Sequence, residues 1–250
     1  MVNLDSWIWP VLLAPIIGSF IGVVVLRAPR ARTILFGRSA CVFCDHRLTP
    51  RDLIPIISWS AARGRCRYCG KPTGVFYPFI ELAALALAVW SALTFTGWLM
   101  WASCLLGWSL LALAAIDFRF YLLPDFLTFP LIAAGLFVTW IADRSEVPGH
   151  AAGAVLGLAF VVAVRVAYRS LRGKEGMGLG DAKLLSAAGA WVSWTGLPSV
   201  VLLGALAALS FVLFKSWRGR NVSLGDRLPF GTFLCLGTWV VWLYGPLVAG

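Results

Sequence analysis

Two aspartates stand at the ends of long apolar segments, where a carboxylate is costly unless it has a function. Asp117 closes the segment LLGWSLLALAAID, and Asp181 lies in the turn Gly-Met-Gly-Leu-Gly-Asp-Ala-Lys at 176–183, just before another apolar segment. Two carboxyls held close together do not both ionise easily, so one keeps its proton near neutral pH. Aspartic proteolysis requires this arrangement, because the ionised acid takes a proton from water while the protonated acid polarises the scissile carbonyl. We therefore predict that Asp117 and Asp181 form a catalytic pair.

Each aspartate also has a simpler explanation. Asp181 is suited to capping the helix that follows it, and Asp117 is acceptable as a solvated residue at a helix end. Acids at a membrane edge also mark ion pathways, which is the basis of an alternative transport function. The residue types alone leave these alternatives open.

Four residues around the aspartates are predicted to bind substrate or to support a loop. Gly178 and Gly180 allow the backbone to approach an extended substrate closely. Glu81 begins an apolar segment and can accept hydrogen bonds from a loop or from a substrate amine, and Lys183 follows Asp181 in the glycine-rich turn. Asp125 is different, because it follows Leu-Leu-Pro and precedes an apolar segment, a position typical of a helix N-cap.

Four cysteines form two pairs, CVFC and CRYC, separated by 21 residues. The positions Cys41, Cys44, Cys66 and Cys69 match the spacing of four-cysteine zinc sites, in which each pair presents two thiolates to one metal. Four thiolates fill the tetrahedral shell, so we predict a structural zinc with no open catalytic position. Two disulfides are the alternative, and His46 is predicted to be a solvated loop residue and not a fifth ligand.

The elements that must position these residues are membrane helices. The chain has 250 residues, of which 60% are hydrophobic and only 13% charged, which is far from the composition of a soluble domain. We predict an all-α polytopic membrane protein with about eight spans, and the first span is expected to be retained, not removed as a signal peptide. The predicted spans are 7–27, 78–97, 98–116, 126–142, 150–168, 182–195, 197–214 and 229–248.

The distribution of Lys and Arg predicts the orientation of the spans. If the N-terminus is outside, all but two of the 21 basic residues lie in or beside cytoplasmic loops, the exceptions being Arg144 and Arg165. Asp117, Asp181 and the cysteine pairs then share the cytoplasmic side, where disulfides rarely persist. Topology thus explains most of the net charge of +10, and we predict no nucleic-acid partner.

Several segments, in order along nearly the whole chain, resemble motifs of the bacterial type IV prepilin peptidases, which are membrane aspartic proteases. The two cysteine pairs and five longer segments carry the resemblance. These segments are GSFIGVVVLRAP at 18–29, VFYPFIEL at 75–82, IDFRFYLLPD at 116–125, GKEGMGLGDAKLL at 173–185 and LPFGTFL at 228–234.

The resemblance implies a function and a domain organisation. It implies that Asp117 and Asp181 are catalytic, that prepilins and type II secretion pseudopilins are cleaved at the cytoplasmic face of the bacterial inner membrane, and that S-adenosylmethionine serves to methylate the new N-terminus. We expect a first membrane segment (1–27), a zinc loop associated with methyl transfer (28–76) and a membrane peptidase domain (77–250). A non-catalytic transport or assembly component is the alternative, and an intramembrane protease that cuts within a span is another.

Overall fold

The computed structural model describes residues 4–30, 40–41, 43–173, 178–219 and 228–247. Within these ranges the chain is almost entirely helical and contains no β-strand, only two isolated bridges. The helices are α1 (Leu4–Arg27), α2 (Ile57–Ala61), α3 (Phe76–Thr94), α4 (Gly97–Phe120), α5 (Asp125–Ala142), α6 (Val147–Arg172), α7 (Leu179–Trp217) and α8 (Phe230–Tyr244). Short 3-10 turns follow α1 and precede α2 and α6.

The predicted polytopic membrane fold is confirmed. Among the described residues, six helices are long and apolar enough to cross a membrane, namely α1 and α3 to α7. Helix α8 is apolar but has only 15 residues. Because the hydrocarbon core of a bilayer is ~30 Å thick, a straight helix of this length spans only part of it.

Helix α7 contains two of the predicted spans. It runs for 39 residues, but Ser193 has φ 62° and ψ 174°, which are not helical values. The predicted segments 182–195 and 197–214 therefore correspond to two helical halves of α7 that meet at Ser193. The second half runs antiparallel to α8, because Gly196 lies beside Val241 and Gly204 beside Leu234. Pro198 lies just beyond the kink, and because proline has no N–H it cannot bond the carbonyl four residues earlier.

The chain divides into two compact units, Met1–Ala112 and Leu113–Gly250, and the boundary falls within α4. In the first unit α1 packs against α3. Gly18 permits this contact, because a Cβ there would lie 2.6 Å from the Cα of Glu81 and 3.0 Å from the Cβ of Ala84. Any larger residue at position 18 would push the two helices apart.

In the second unit α7 is central and packs against α5, α6 and α8. Its contact with α6 is made backbone to backbone. A Cβ on Gly189 would lie 2.2 Å from the carbonyl oxygen of Gly153, and one on Gly157 would lie 2.5 Å from that of Leu185. Small residues at such positions are typical of close helix pairs in membranes.

The helix-cap prediction for Asp125 is wrong. The N-cap of α5 is Pro124, and Asp125 is the first helical residue. Its carboxylate receives a hydrogen bond from Lys183 of α7 instead. An ion pair between two helices has replaced the local cap, because the ammonium group lies within reach of the start of α5 and satisfies the carboxylate's charge there.

Candidate active site and cysteine module

Asp117 lies in the last turn of α4 and is 5% exposed. Its Oδ2 accepts hydrogen bonds from the backbone N–H of Thr232 at 2.7 Å and from the Thr232 hydroxyl at 3.0 Å. Thr232 is in the first turn of α8, where backbone N–H groups have no partner within the helix. Asp117 of α4 thus caps the N-terminus of α8, so the interpretation of Asp117 as a solvated helix-end residue is wrong.

Asp181 lies in the first turn of α7 and is partly buried. Its Oδ2 accepts the N–H of the N-cap residue Gly178 at 3.3 Å, so the capping role that the sequence allowed is present. Its charge also interacts with that of Asp117. The two aspartates from helices far apart in sequence are therefore close enough to act on each other electrostatically.

The start of α8 lies beside both acids. A Cβ on Gly231, in the first turn of α8, would lie 3.1 Å from Oδ2 of Asp117. The buried side chain of Leu123 separates the helix ends: a Cβ on Gly180 would lie 3.0 Å from its Cβ, and a Cβ on Gly231 would lie 2.9 Å from its Cδ1. Gly180 therefore permits close packing of α7 on the segment after α4.

Lys183 neutralises an acid other than the aspartate pair. Its ammonium group bonds the carboxylate of Asp125 and lies 5.5 Å from the centre of the Phe129 ring. Both partners belong to α5, so Lys183 fixes the first turn of α7 to the first turn of α5. The contact supports the start of α7, because Lys183 lies two residues after Asp181.

Glu81 belongs to the first unit and is 4% exposed. Its Oε2 accepts the backbone N–H of Ile56 at 2.7 Å. Ile56 has φ 61° and ψ −50°, a conformation that a β-branched residue adopts only under constraint. The predicted partner of Glu81 is a loop or a substrate amine, and the structure shows a hydrogen bond from the loop.

The two cysteine pairs come together in the part of the chain that we call the cysteine module, the described residues between 40 and 75. One ligand atom from each of the four cysteines lies within 4.8 Å of the others, and all are free thiols. The Sγ atoms of Cys41 and Cys69 are 3.9 Å apart. Zn–S bonds of ~2.3 Å would hold tetrahedral sulfurs roughly 3.8 Å apart, so the four thiols fit one zinc ion.

The two halves of the cysteine module have the same backbone turn. The first cysteine of each pair donates its N–H five residues ahead, from Cys41 to His46 and from Cys66 to Lys71. The same cysteines accept the N–H of Asp45 and of Gly70, which both have positive φ. N–H groups of Phe43 and the following residue lower the pKa of Cys41 to about 7, which favours the thiolate that a metal binds.

His46 lies outside the four-thiol cluster. Its ring packs on that of Tyr68 with 3.6 Å between centroids, so it joins the two halves of the module through an aromatic contact. The side chain is exposed, in agreement with the predicted solvated position.

No pattern in the sequence indicates Thr232, Leu123 or Ile56 as residues of the site. Thr232 lies in the segment LPFGTFL, whose Pro-Phe-Gly followed by a hydroxyl residue indicates a helix start. That signal predicts a cap within α8 and gives no indication that the hydroxyl contacts an acid 115 residues earlier. Leu123 and Ile56 are ordinary apolar residues by type, and only their contacts distinguish them.

Together the fold and the site define a multi-pass membrane protein with paired carboxyls at helix ends and a module able to hold a metal. Residues 12–95 match the family described as the bacterial peptidase A24 N-terminal domain, and residues 104–213 match the type IV leader peptidase family. The chain belongs to the type IV leader peptidase family.

Three relatives show how much of the chain this similarity covers. Each is named prepilin leader peptidase/N-methyltransferase. The protein of Burkholderia pseudomallei (strain K96243) is 38% identical over 94% of this chain and 84% of its own length. The protein of Aeromonas hydrophila is 39% identical over 85% of this chain and 73% of its own length. The protein of Pseudomonas aeruginosa (strain PAO1) is 35% identical over 94% of this chain and 89% of its own length. No solved structure matches the chain.

Proposed function

We propose that this protein removes leader peptides from type IV prepilins and type II secretion pseudopilins, and that it then methylates the new N-terminus. The observation that carries the proposal is that the end of α4 with Asp117 and the start of α7 with Asp181 meet around Leu123 at the start of α8, within electrostatic range of each other. The type IV leader peptidase family and the names of the relatives give the reaction and the substrate class.

Hydrolysis needs only the two carboxyls and water. One carboxylate accepts a proton from water while the other, protonated, donates a hydrogen bond to the scissile carbonyl. The hydroxide adds to the carbonyl carbon, the C–N bond breaks, and the departing amine receives a proton. The proximity of Asp117 to Asp181 supports this mechanism, because repulsion between two carboxylates favours a state in which one holds a proton.

We further propose that the chain lies in the bacterial inner membrane with its N-terminus outside. Asp117 then ends α4 and Asp181 begins α7 at the cytoplasmic edge, where a basic leader peptide meets the apolar helix of the substrate. The retention of Lys and Arg on the cytoplasmic side supports this orientation. In this arrangement residues 77–250 form the peptidase domain, anchored after a first span at 1–27.

The cysteine module, within residues 28–76, is proposed to hold a structural zinc and to serve methyl transfer. S-adenosylmethionine, when bound, supplies the methyl group. The module has a cavity of about 360 Å³, which is within the range of small-ligand sites. Its lining offers arginines for the carboxylate of that cofactor and a short apolar wall for the adenine. The lining residues are Arg51, Asp52, Ile57, Ser58, Ala61, Ala62, Arg65, Cys66 and Arg67.

The test of both activities is the mass of the N-terminal peptide of a prepilin co-expressed with this protein. We expect the leader to be absent, the new terminus to begin just before the apolar helix, and the peptide to carry one added methyl group. An unprocessed prepilin would favour the transport or assembly alternative. A terminus inside the apolar helix would favour an intramembrane protease.

The cavity proposal has a separate test, which measures cofactor binding as well as methylation. Arg65→Gln removes an arginine of the lining, and Arg63→Gln, an exposed arginine outside it, is the matched control. Calorimetry with S-adenosylmethionine should show binding weaker by about tenfold to a hundredfold for Arg65→Gln, with leader removal unchanged, since one charge-assisted hydrogen bond is worth ~1.5–3 kcal/mol. Equal binding by both variants would place the cofactor elsewhere.

A further inference from the structure

The geometry points to Thr232 as the positioning residue of Asp117, with a hydroxyl that can serve this acid in both of its protonation states. The inference rests on the proposed function, because it concerns the same aspartate pair. It assigns a role to a residue that is neither an acid nor a metal ligand.

The backbone at the start of α8 needs a hydrogen-bond acceptor from outside the helix. Pro229 is the N-cap of this helix and offers no side-chain hydrogen bond, so the orphan N–H of Thr232 must be satisfied from elsewhere. Oδ2 of Asp117 accepts it at 2.7 Å. This bond fixes the carboxyl relative to α8, and the backbone supplies it whatever side chain stands at position 232.

The hydroxyl of Thr232 lies within hydrogen-bond distance of two oxygen atoms. Oγ of Thr232 lies 3.0 Å from Oδ2 of Asp117 and 3.1 Å from the carbonyl oxygen of Ala114, one turn earlier in α4. A hydroxyl has one proton to donate and two lone pairs to accept with, so it can donate to only one of these oxygens at a time. The two contacts therefore describe two alternative hydrogen-bond arrangements.

These arrangements correspond to the two protonation states of Asp117. When the carboxyl is ionised, the hydroxyl donates to Oδ2. When the carboxyl is protonated, the hydroxyl donates to Ala114 and accepts the proton of Asp117. Rotation about the C–O bond of Thr232 is enough to change between them. An acid that gains and loses a proton in each turnover thereby keeps its position and a hydrogen-bond partner throughout.

The surroundings leave little freedom for another arrangement. A Cβ at Gly231 would lie 3.1 Å from Oδ2 of Asp117, so the neighbour of Thr232 has to be small. Helix α8 also packs on α7, the helix that carries Asp181. Thr232 therefore ties one acid to an element that contacts the helix of the other.

The test compares three variants by steady-state cleavage of a prepilin by the purified full-length protein. Thr232→Val keeps the shape and the backbone N–H but removes the hydroxyl, and Thr232→Ser keeps the hydroxyl. Thr238→Val is the matched control, because Thr238 is also a buried hydroxyl residue of α8 and its hydroxyl donates to the Leu234 carbonyl within its own helix. We expect Thr232→Val to lower kcat about tenfold or more with KM within about twofold, because it loses a hydrogen bond to a charged group. Thr232→Ser and Thr238→Val should keep kcat within about threefold, the variation expected at neutral positions.

Three results would overturn the inference: unchanged kcat in Thr232→Val, a raised KM with unchanged kcat, or an equal loss in Thr238→Val. If Thr232→Val does not reach the membrane, Thr232→Ala is compared with Thr232→Ser. Equal kcat values for these two variants would also overturn the inference. Asp117→Asn is measured in parallel. Its full activity would contradict the proposed function itself, whereas its inactivity beside an active Thr232→Val would contradict only the role of Thr232.

Discussion

Asp52 organises the cysteine module through several donors on one carboxylate. Its Oδ2 accepts from the hydroxyl of Thr49 at 2.7 Å, from the backbone N–H of Thr49 at 3.0 Å and from the hydroxyl of Tyr68 at 3.1 Å. Arg67 lies 3.7 Å from Oδ1. These donors, the Thr49 hydroxyl foremost, lower the pKa of Asp52 below its usual range.

This network predicts a pH dependence of local stability. A carboxyl with a lowered folded-state pKa contributes stability above its unfolded pKa of ~3.9, and that contribution is lost as pH falls through the folded value. Hydrogen exchange of residues 49–68 should be several-fold faster in Asp52→Asn than in the natural protein at pH 7. The difference should shrink towards pH 3. Asp45→Asn, in the same module, is the control. If Asp52→Asn and the natural protein exchange at the same rate at pH 7, the network does not stabilise the loop.

At this scale the sequence predicts residue types but not their partners. The two aspartates and the cysteine pairs can be recognised in the sequence, because carboxylates at the ends of apolar segments and closely spaced cysteine pairs are rare. Thr232 is not, because a hydroxyl residue near a helix start is common and usually caps its own helix. Its contact with Asp117 depends on how α8 packs on the end of α4, which no local pattern contains.

At the scale of elements, the apolar pattern predicts the helices well and their breaks to within a few residues. The gap at Thr96 and Gly97 is a true break, since α3 ends at Thr94 and α4 begins at Gly97. Gly196 and Pro198 indicate a second break, and the structure has one a few residues earlier, at Ser193, between the two halves of α7. Contacts across the bundle, including the Gly153 carbonyl against Gly189, hold both halves of α7 in place, and propensity alone does not predict this.

The cysteine module is the element whose stability should depend on metal. The purified protein is expected to contain about one equivalent of zinc, and Cys41→Ser or Cys66→Ser should lose most of it, because three thiolates no longer fill the tetrahedral shell. Elemental analysis measures this, with Cys104→Ala, a buried residue of α4, as the control. Zinc content unchanged by replacement of all four module cysteines would eliminate the site.

At the scale of the whole molecule, composition is the most predictive feature. A chain with so few charges cannot hide its apolar surface from water, so membrane insertion follows without reference to any motif. The described helices keep many large apolar residues exposed on their outer faces, among them Leu171 of α6 and Leu93 of α3. What composition does not predict is that α4 and α7 bring Asp117 and Asp181 together, since that depends on helix packing.

The most direct measurement is the rate of prepilin leader removal by the purified full-length protein with Asp117→Asn or Asp181→Asn. Asparagine keeps the size of the side chain and one of its two acceptor oxygens but cannot exchange a proton, so each variant should be slower by about 10²- to 10⁴-fold. Asp143→Asn serves as the control and should leave the rate unchanged, because Asp143 is an exposed acid whose carboxylate accepts hydrogen bonds from Ser145, two residues further on. Normal cleavage by either Asp117→Asn or Asp181→Asn, at equal amounts in the membrane, would contradict the assignment of these two residues as the catalytic pair.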